Sequence, residues 1–103
     1  MGIKSNIESD GKTQLIFIDG RFDFTLHKDF RDVYTNSGSN NTITKYIIDL
    51  SSTNYMDSSA LGMLLLLREY AGGESADIEV KGCSPEIKEI LEISNFDRLF
   101  KIN

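Results

Sequence analysis

One serine-rich turn carries the side chains in this sequence that are best placed for chemistry. Asp57, Ser58 and Ser59 follow a polar turn after a short apolar strand and stand at the mouth of an apolar helix. A side chain at such a place can cap the helix, and the positive end of the helix dipole accepts added negative charge. A capping hydroxyl is also exposed and reachable by a kinase. The turn therefore predicts a plain helix cap, a modifiable serine, or both together.

Side chains for other kinds of catalysis are sparse. His27 is the only histidine, and an exposed surface histidine is its simpler interpretation. Cys83 borders a predicted strand and is better explained as a small apolar residue than as a nucleophile. The sequence has no G-x-S-x-G elbow, no glycine-rich phosphate loop with a following lysine, and no zinc-like Cys/His spacing. We therefore expect a protein that is not an enzyme and that holds no cofactor or metal.

Length and charge narrow the function further. The 103 residues suffice for one domain, residues 1–103, and 40% of them are hydrophobic, as in globular proteins. The net charge of −5 and the pI of about 4.7 argue against nucleic acid or an anionic membrane as the main partner. No run reaches the length of a membrane span, no signal peptide is evident, and a single cysteine needs no oxidising compartment. These features predict a cytoplasmic location without direct membrane contact.

Hydrophobic periodicity predicts the elements that position the turn. Strands at 3–7 and 14–18 should form an antiparallel hairpin, and a loop at 20–24 should lead into a helix capped by Thr25. A strand at 44–50 should be followed by a helix from Ser58 to about Ala71 and a strand at 76–81. The last helix should be capped by Ser84, with Pro85 at its first position. Residues 99–102 could add a short final strand. The order β-β-α-β-α-β-α predicts an α/β fold with a small mixed sheet.

The helix after Ser58 is apolar on nearly all sides in its first two turns. A helix that packs on one sheet of a small domain rarely buries its whole circumference. Some of Met63, Leu66 and Leu67 should therefore stay accessible and form a docking patch.

The residues around this turn resemble the STAS domain family, the family of the bacterial anti-sigma factor antagonists. The specific part of the resemblance is the strand at 46–50 followed by Met-Asp-Ser-Ser-Ala-Leu-Gly at 56–62. Supporting parts are Gly-Arg-Phe-Asp at 20–23, Cys-Ser-Pro-Glu-Ile at 83–87 and Phe-Asp-Arg-Leu-Phe at 96–100. The resemblance implies the STAS fold, a small mixed sheet with helices mainly on one side.

The resemblance also implies a phosphorylation switch at the first serine of the motif, Ser58. The kinase is typically a GHKL-type ATPase that is itself the anti-sigma factor, and the phosphatase is typically a metal-dependent serine phosphatase. ATP and metal then belong to those partners. Backbone geometry favours the same serine, because the residue at the lip of the turn projects outward whereas Ser59 lies inside the first helical turn.

The expected interface follows from this resemblance and from the apolar helix. Unphosphorylated protein should bind the anti-sigma partner, and phosphorylation should release it. The residues expected to contact the partner are Asp23, Met56, Asp57, Ser59, Leu61, Gly62, Met63 and Leu66. The alternative is a STAS regulatory subunit of a transporter or signalling complex without a phosphate cycle. The oligomeric state stays open.

Overall fold

A mixed five-stranded sheet organises the computed structural model, which describes residues 2–37 and 43–103. The strands are β1 (Gly2–Ile7), β2 (Thr13–Phe22), β3 (Lys45–Met56), β4 (Ile78–Lys81) and β5 (Lys101–Ile102), and they lie side by side in chain order. β1 and β2 form the antiparallel hairpin, and β2 to β5 are parallel. The predicted mixed α/β sheet, including its short last strand, is confirmed.

Helices make the crossovers between the parallel strands. Within the described ranges they are α1 (His27–Ser37), α2 (Ser58–Tyr70) and α3 (Pro85–Ile93). Each crossover leads to the next strand in the same direction, and right-handed crossovers of this kind place every helix on the same face of the sheet. None of these helices is long and apolar enough to cross a membrane.

Side chains alternate between the two faces of each strand, and those on one face form the part of the core that the sheet contributes. Ile16, Ile18, Ile48 and Val80 point toward the helices and are fully buried. The helices, together with Leu26 just before α1, close this core with a larger set of apolar side chains, namely Phe30, Tyr34, Ala60, Met63, Leu64, Leu67, Ile87 and Leu91. Strands and helices thus share one continuous hydrophobic cluster, whose burial dominates the stability of the fold.

Two central strands are longer than the sequence predicted. β2 continues through Phe22, so the expected loop at 20–24 is wrong over its first three residues. β3 continues through Met56, across the expected polar turn. The two extensions pair with each other, Arg21 with Tyr55 and Phe22 with Met56, after irregularities in the register. Their ladder overrides the weak strand propensity of the intervening polar residues.

Helix starts agree only partly with the predicted caps. Ser84 caps α3 through its Oγ, which accepts a hydrogen bond from the Ile87 N–H at 3.2 Å, and Pro85 occupies the first position as predicted. Thr25, by contrast, does not cap α1. Asp23 caps a short 3-10 turn, Phe24–Leu26, which runs directly into α1 at His27.

Candidate functional site

The paired ends of β2 and β3 bring the two motif segments together. Phe22 and Met56 are register partners at the carboxyl ends of these parallel strands. Asp23 and Asp57 each follow directly and begin the next helical element. The sheet therefore places Asp23 and Asp57 side by side at the carboxyl ends of β2 and β3, as expected for adjacent parallel strands.

Asp57, and not a serine, caps α2. Its Oδ1 accepts hydrogen bonds from the backbone N–H groups of Ser59 at 3.0 Å and Ala60 at 3.3 Å. Its backbone is extended, with φ −129° and ψ −173°, whereas Ser58 is already the first helical residue. The expectation that Ser58 has the non-helical backbone at the lip of the turn is wrong by one residue.

Ser58 is nevertheless the more accessible serine. Its side chain is exposed, whereas Ser59 is half-buried. Among the residues that the structure describes, the Ser58 hydroxyl makes no hydrogen bond, because the cap is occupied by Asp57. The fold therefore does not depend on the Ser58 hydroxyl, and substitutions there should cost little stability.

The outer side of α2 forms a stripe that starts at Ser58. Ser58, Gly62, Leu66 and Tyr70 are exposed and recur at every fourth position, so they lie on one helix face. Leu66 is 52% exposed and Tyr70 is 46% exposed. Leu65, 39% exposed, widens the stripe. Sequence reasoning named Gly62 and Leu66 but missed Leu65 and Tyr70. We call these five residues the α2 stripe.

Other residues expected at the interface are buried. Met63 is 3% exposed and Leu67 is fully buried, so of the three accessible candidates on α2 only Leu66 is exposed. Direct contact of Met63 with a partner is therefore a wrong expectation. Met56 is 6% exposed and belongs to the same core, and Leu61 is half-buried against it. Met56, Leu61 and Met63 therefore pack beneath the exposed surface and hold it in place.

Asp23 organises the neighbouring segment. Its carboxylate accepts hydrogen bonds from the Thr25 hydroxyl and N–H and from the Arg21 Nε at 3.0 Å. The side-chain bonds to Thr25 and Arg21 and the backbone bond to Thr25 hold the pKa of Asp23 below its usual range. The Arg21 guanidinium also lies 3.9 Å from the ring centroid of Tyr55, its register partner. This cation–π contact ties the two strand extensions together beside the α2 start.

Phe24 adds an apolar element that the sequence reading missed. The ring is 68% exposed and stacks on His27 with 5.3 Å between ring centroids. His27, Tyr70 and Leu66 also line a groove between α1 and α2. The groove continues the α2 stripe toward α1, so a partner that covers the stripe would reach both helices. An aromatic residue in a segment expected to be a loop was the available signal.

The geometry defines what a phosphate on Ser58 would meet. The positive end of α2 favours an anion nearby, but Asp57 Oδ1 already holds two N–H groups of its first turn. A phosphate would gain little from the helix and would face the Asp57 carboxylate. It would therefore project from the surface and leave α2 intact.

Comparison with known proteins agrees with this architecture. The family model described as "Mlab, STAS domain" matches residues 5–101. A STAS-domain containing protein of Pseudomonas aeruginosa is 52% identical over 103 residues, which is 100% of this chain and 100% of that protein.

Two solved structures share the fold. One is the Bacillus anti-sigma factor antagonist SpoIIAA in its phosphorylated form, with a TM-score of 0.76 and 16% identity over 99% of this chain and 91% of its own. The other is a sulfate transporter family protein from Wolinella succinogenes, with a TM-score of 0.71 and 15% identity over 89% and 78% of the two chains. The family match over nearly the whole chain, with the fold that carries it, shows that this protein belongs to the STAS domain family.

Proposed function

We propose that this protein is an anti-sigma factor antagonist that works as a binding module switched by phosphorylation of Ser58. The observation that carries the proposal is the position of Ser58. Its exposed hydroxyl is not the helix cap, and it begins an apolar stripe on the outer face of α2. A docking surface and a modifiable group are thus parts of one helix face. The phosphorylated and unphosphorylated forms of SpoIIAA, which has the same fold, support this interpretation.

The switch would act at the surface. Phosphorylation adds about −1.5 to −2 charges at the head of the α2 stripe, next to Asp57 and close to Asp23. A partner that packs on Leu66 and Tyr70 would have to bury or neutralise this charge, because an unpaired buried charge is costly. The helix itself stays capped by Asp57. Phosphorylation therefore weakens binding without unfolding the binding surface.

In this switch the partners carry out the phosphorylation and dephosphorylation. The anti-sigma factor would be a GHKL-type serine kinase that brings ATP, and a metal-dependent serine phosphatase would restore the free hydroxyl. This chain would supply the phosphoryl acceptor and the docking face and would catalyse no reaction.

Phosphate mapping tests the switch. The protein is incubated with the co-purifying kinase and ATP, and its peptides are mapped by mass spectrometry. Phosphate should appear on Ser58, persist in Ser59→Ala and vanish in Ser58→Ala. Ser58→Asp should bind the partner at least about tenfold more weakly than wild type, as expected when a charge is placed in a closed interface. Phosphate on Ser59, or equal affinity of wild type and Ser58→Asp, would refute the switch.

A matched pair of variants tests the docking face separately. Leu66→Glu places a charge in the α2 stripe, and Ile93→Glu makes the same change on α3, where Ile93 is 73% exposed. Both sites are exposed, so both variants should fold with near wild-type stability. Leu66→Glu should abolish partner binding and Ile93→Glu should leave it unchanged. Equal effects of the two variants would place the interface elsewhere.

A second candidate function is a regulatory subunit of a transport complex. The shared fold of a sulfate transporter family protein favours it. In that case the α2 stripe would bind a transporter ATPase, and the Ser58 hydroxyl would contribute contacts without a phosphate cycle. Purification from the native cell separates the two functions. A transporter ATPase as the main co-purifying protein, with Ser58 unmodified throughout, would favour the second.

A further inference from the structure

The sheet has a second face, opposite the helices, that carries an apolar centre. Leu15, Phe17 and Ile47 alternate along β2 and β3 with the buried residues Ile16 and Ile48 and therefore point the other way. All three are partly exposed and lie outside the hydrophobic core cluster. Since α1, α2 and α3 all pack on the core face, no helix of residues 2–37 and 43–103 covers these side chains. We call this surface the outer sheet face.

Charged residues flank the apolar centre in a defined order. Lys4, Phe17, Asp49 and Lys81 are successive register partners and form one row across β1, β2, β3 and β4. Lys4 and Asp49 thus lie on opposite sides of Phe17, one strand away in each direction. The positive charge is exposed on the edge strand, and the negative charge is on the central strand.

This order is complementary to itself. A two-fold axis parallel to β2, passing over Phe17, superposes β1 of one copy on β3 of the other. Lys4 of each copy then faces Asp49 of its partner, and Phe17 and Leu15 face their own counterparts. Sheets that pack face to face lie about 10 Å apart with their strands nearly aligned, so side chains in matching rows meet.

We propose that the outer sheet face is the interface of a two-fold symmetric homodimer of this chain. The symmetric arrangement makes two Lys4–Asp49 ion pairs around an apolar centre. It leaves Ser58 and Leu66 on the far side of each copy, so both copies can bind a partner at once. The inference is independent of the proposed function, since no residue of the α2 stripe takes part.

The size of the face sets the strength of the dimer. Only β1, β2 and β3 of each copy lie over strands of the other copy. Three strands at a spacing of about 4.8 Å, each contributing a few residues at about 3.3 Å, give a contact below the standard size of specific interfaces. The dimer should therefore be weak and form with rising concentration. Asp19 lies on β2 two residues beyond Phe17 and would face its own counterpart across the axis, which opposes association.

Sedimentation velocity of the full chain, from about 10 µM to about 1 mM, is the test, because weak interfaces associate in this range. Wild type should convert from monomer to dimer, and Lys4→Glu should raise the dissociation constant at least about tenfold through like-charge contacts. Lys101→Glu is the control, since it makes the same charge change at the sheet edge on β5, away from the axis. Asp19→Asn should tighten the dimer.

Exchanging the charges at positions 4 and 49 tests whether these two residues pair across the dimer interface. The double variant Lys4→Glu with Asp49→Lys restores opposite charges across the axis and should recover most of the lost affinity. Far-ultraviolet circular dichroism of each variant confirms that it is folded, because Asp49 also accepts a hydrogen bond from the Ser51 N–H at 2.9 Å. A wild-type chain that stays monomeric up to about 1 mM overturns the proposal. Equal losses for Lys4→Glu and Lys101→Glu also overturn it.

Discussion

The start of α2 depends on one carboxylate, and its removal has a predictable cost. Asp57→Ala deletes both hydrogen bonds to the Ser59 and Ala60 N–H groups and removes a negative charge from the helix N-terminus. Loss of the cap costs about 0.5–2 kcal/mol, and loss of the charge at the dipole costs about 0.3–1 kcal/mol more. The free energy of unfolding should therefore fall by about 1–3 kcal/mol. At about 4–8 °C per kcal/mol, the melting temperature falls by roughly 4–24 °C.

Two control variants separate the contributions. Asp57→Asn keeps an acceptor oxygen at the same place and loses only the charge, so its loss should stay below about 1 kcal/mol. Ser58→Ala should change stability by less than about 0.5 kcal/mol, because the exposed hydroxyl is not the cap. Urea unfolding followed by circular dichroism at 222 nm gives all the free energies, with the m-value checked for constancy.

Two results would contradict this role of Asp57. If Ser58→Ala destabilises the protein as much as Asp57→Ala does, the serine hydroxyl is the cap in solution. Equal losses for Asp57→Ala and Asp57→Asn would show that the hydrogen bonds contribute little and that charge dominates.

Three further predictions concern other parts of the chain. Gly82→Ala should lower the free energy of unfolding by at least about 1–2 kcal/mol, because φ is +76° and a Cβ would lie 2.9 Å from the Ser51 backbone N. A urea unfolding curve close to that of wild type would contradict this. Gln14→Glu should be severely destabilising at neutral pH, since the fully buried amide donates two hydrogen bonds that a carboxylate cannot make, and the loss should shrink as the pH falls and the carboxyl protonates. Burial raises the pKa of the Cys83 thiol, so iodoacetamide should alkylate it more slowly at pH 8 in the folded protein than in urea.

Much of the fold could be predicted because its signals are local. Alternating apolar residues identified the central strands, and the Ser84–Pro85 pair correctly predicted where α3 begins. The extension of β3 to Met56 could not be predicted in this way. Its polar residues are poor strand formers, and only pairing with the extension of β2 makes them extended. Sequence windows do not contain that long-range contact.

The candidate site, like the fold, could be predicted only in part from the sequence. The motif identified where α2 begins, but adjacent residues of similar capping ability left the cap ambiguous by one position. Apolar residues all around α2 also could not reveal which side faces the core. Packing against the sheet decides this, burying Met63 and Leu67 and exposing Leu65 and Leu66.

If the proposed switch operates, the different roles of Asp57 and Ser58 decide how variants at Ser58 are interpreted. Asp57 holds the helix, so Ser58 is free of structural work and changes at Ser58 alter the surface alone. A serine that also capped α2 would couple every phosphorylation event to the stability of the binding face, because modification would remove the cap. With the cap on Asp57, Ser58→Asp adds charge to a helix that is still capped. Its effect on partner binding can therefore be attributed to charge at the interface, provided that its unfolding free energy matches wild type.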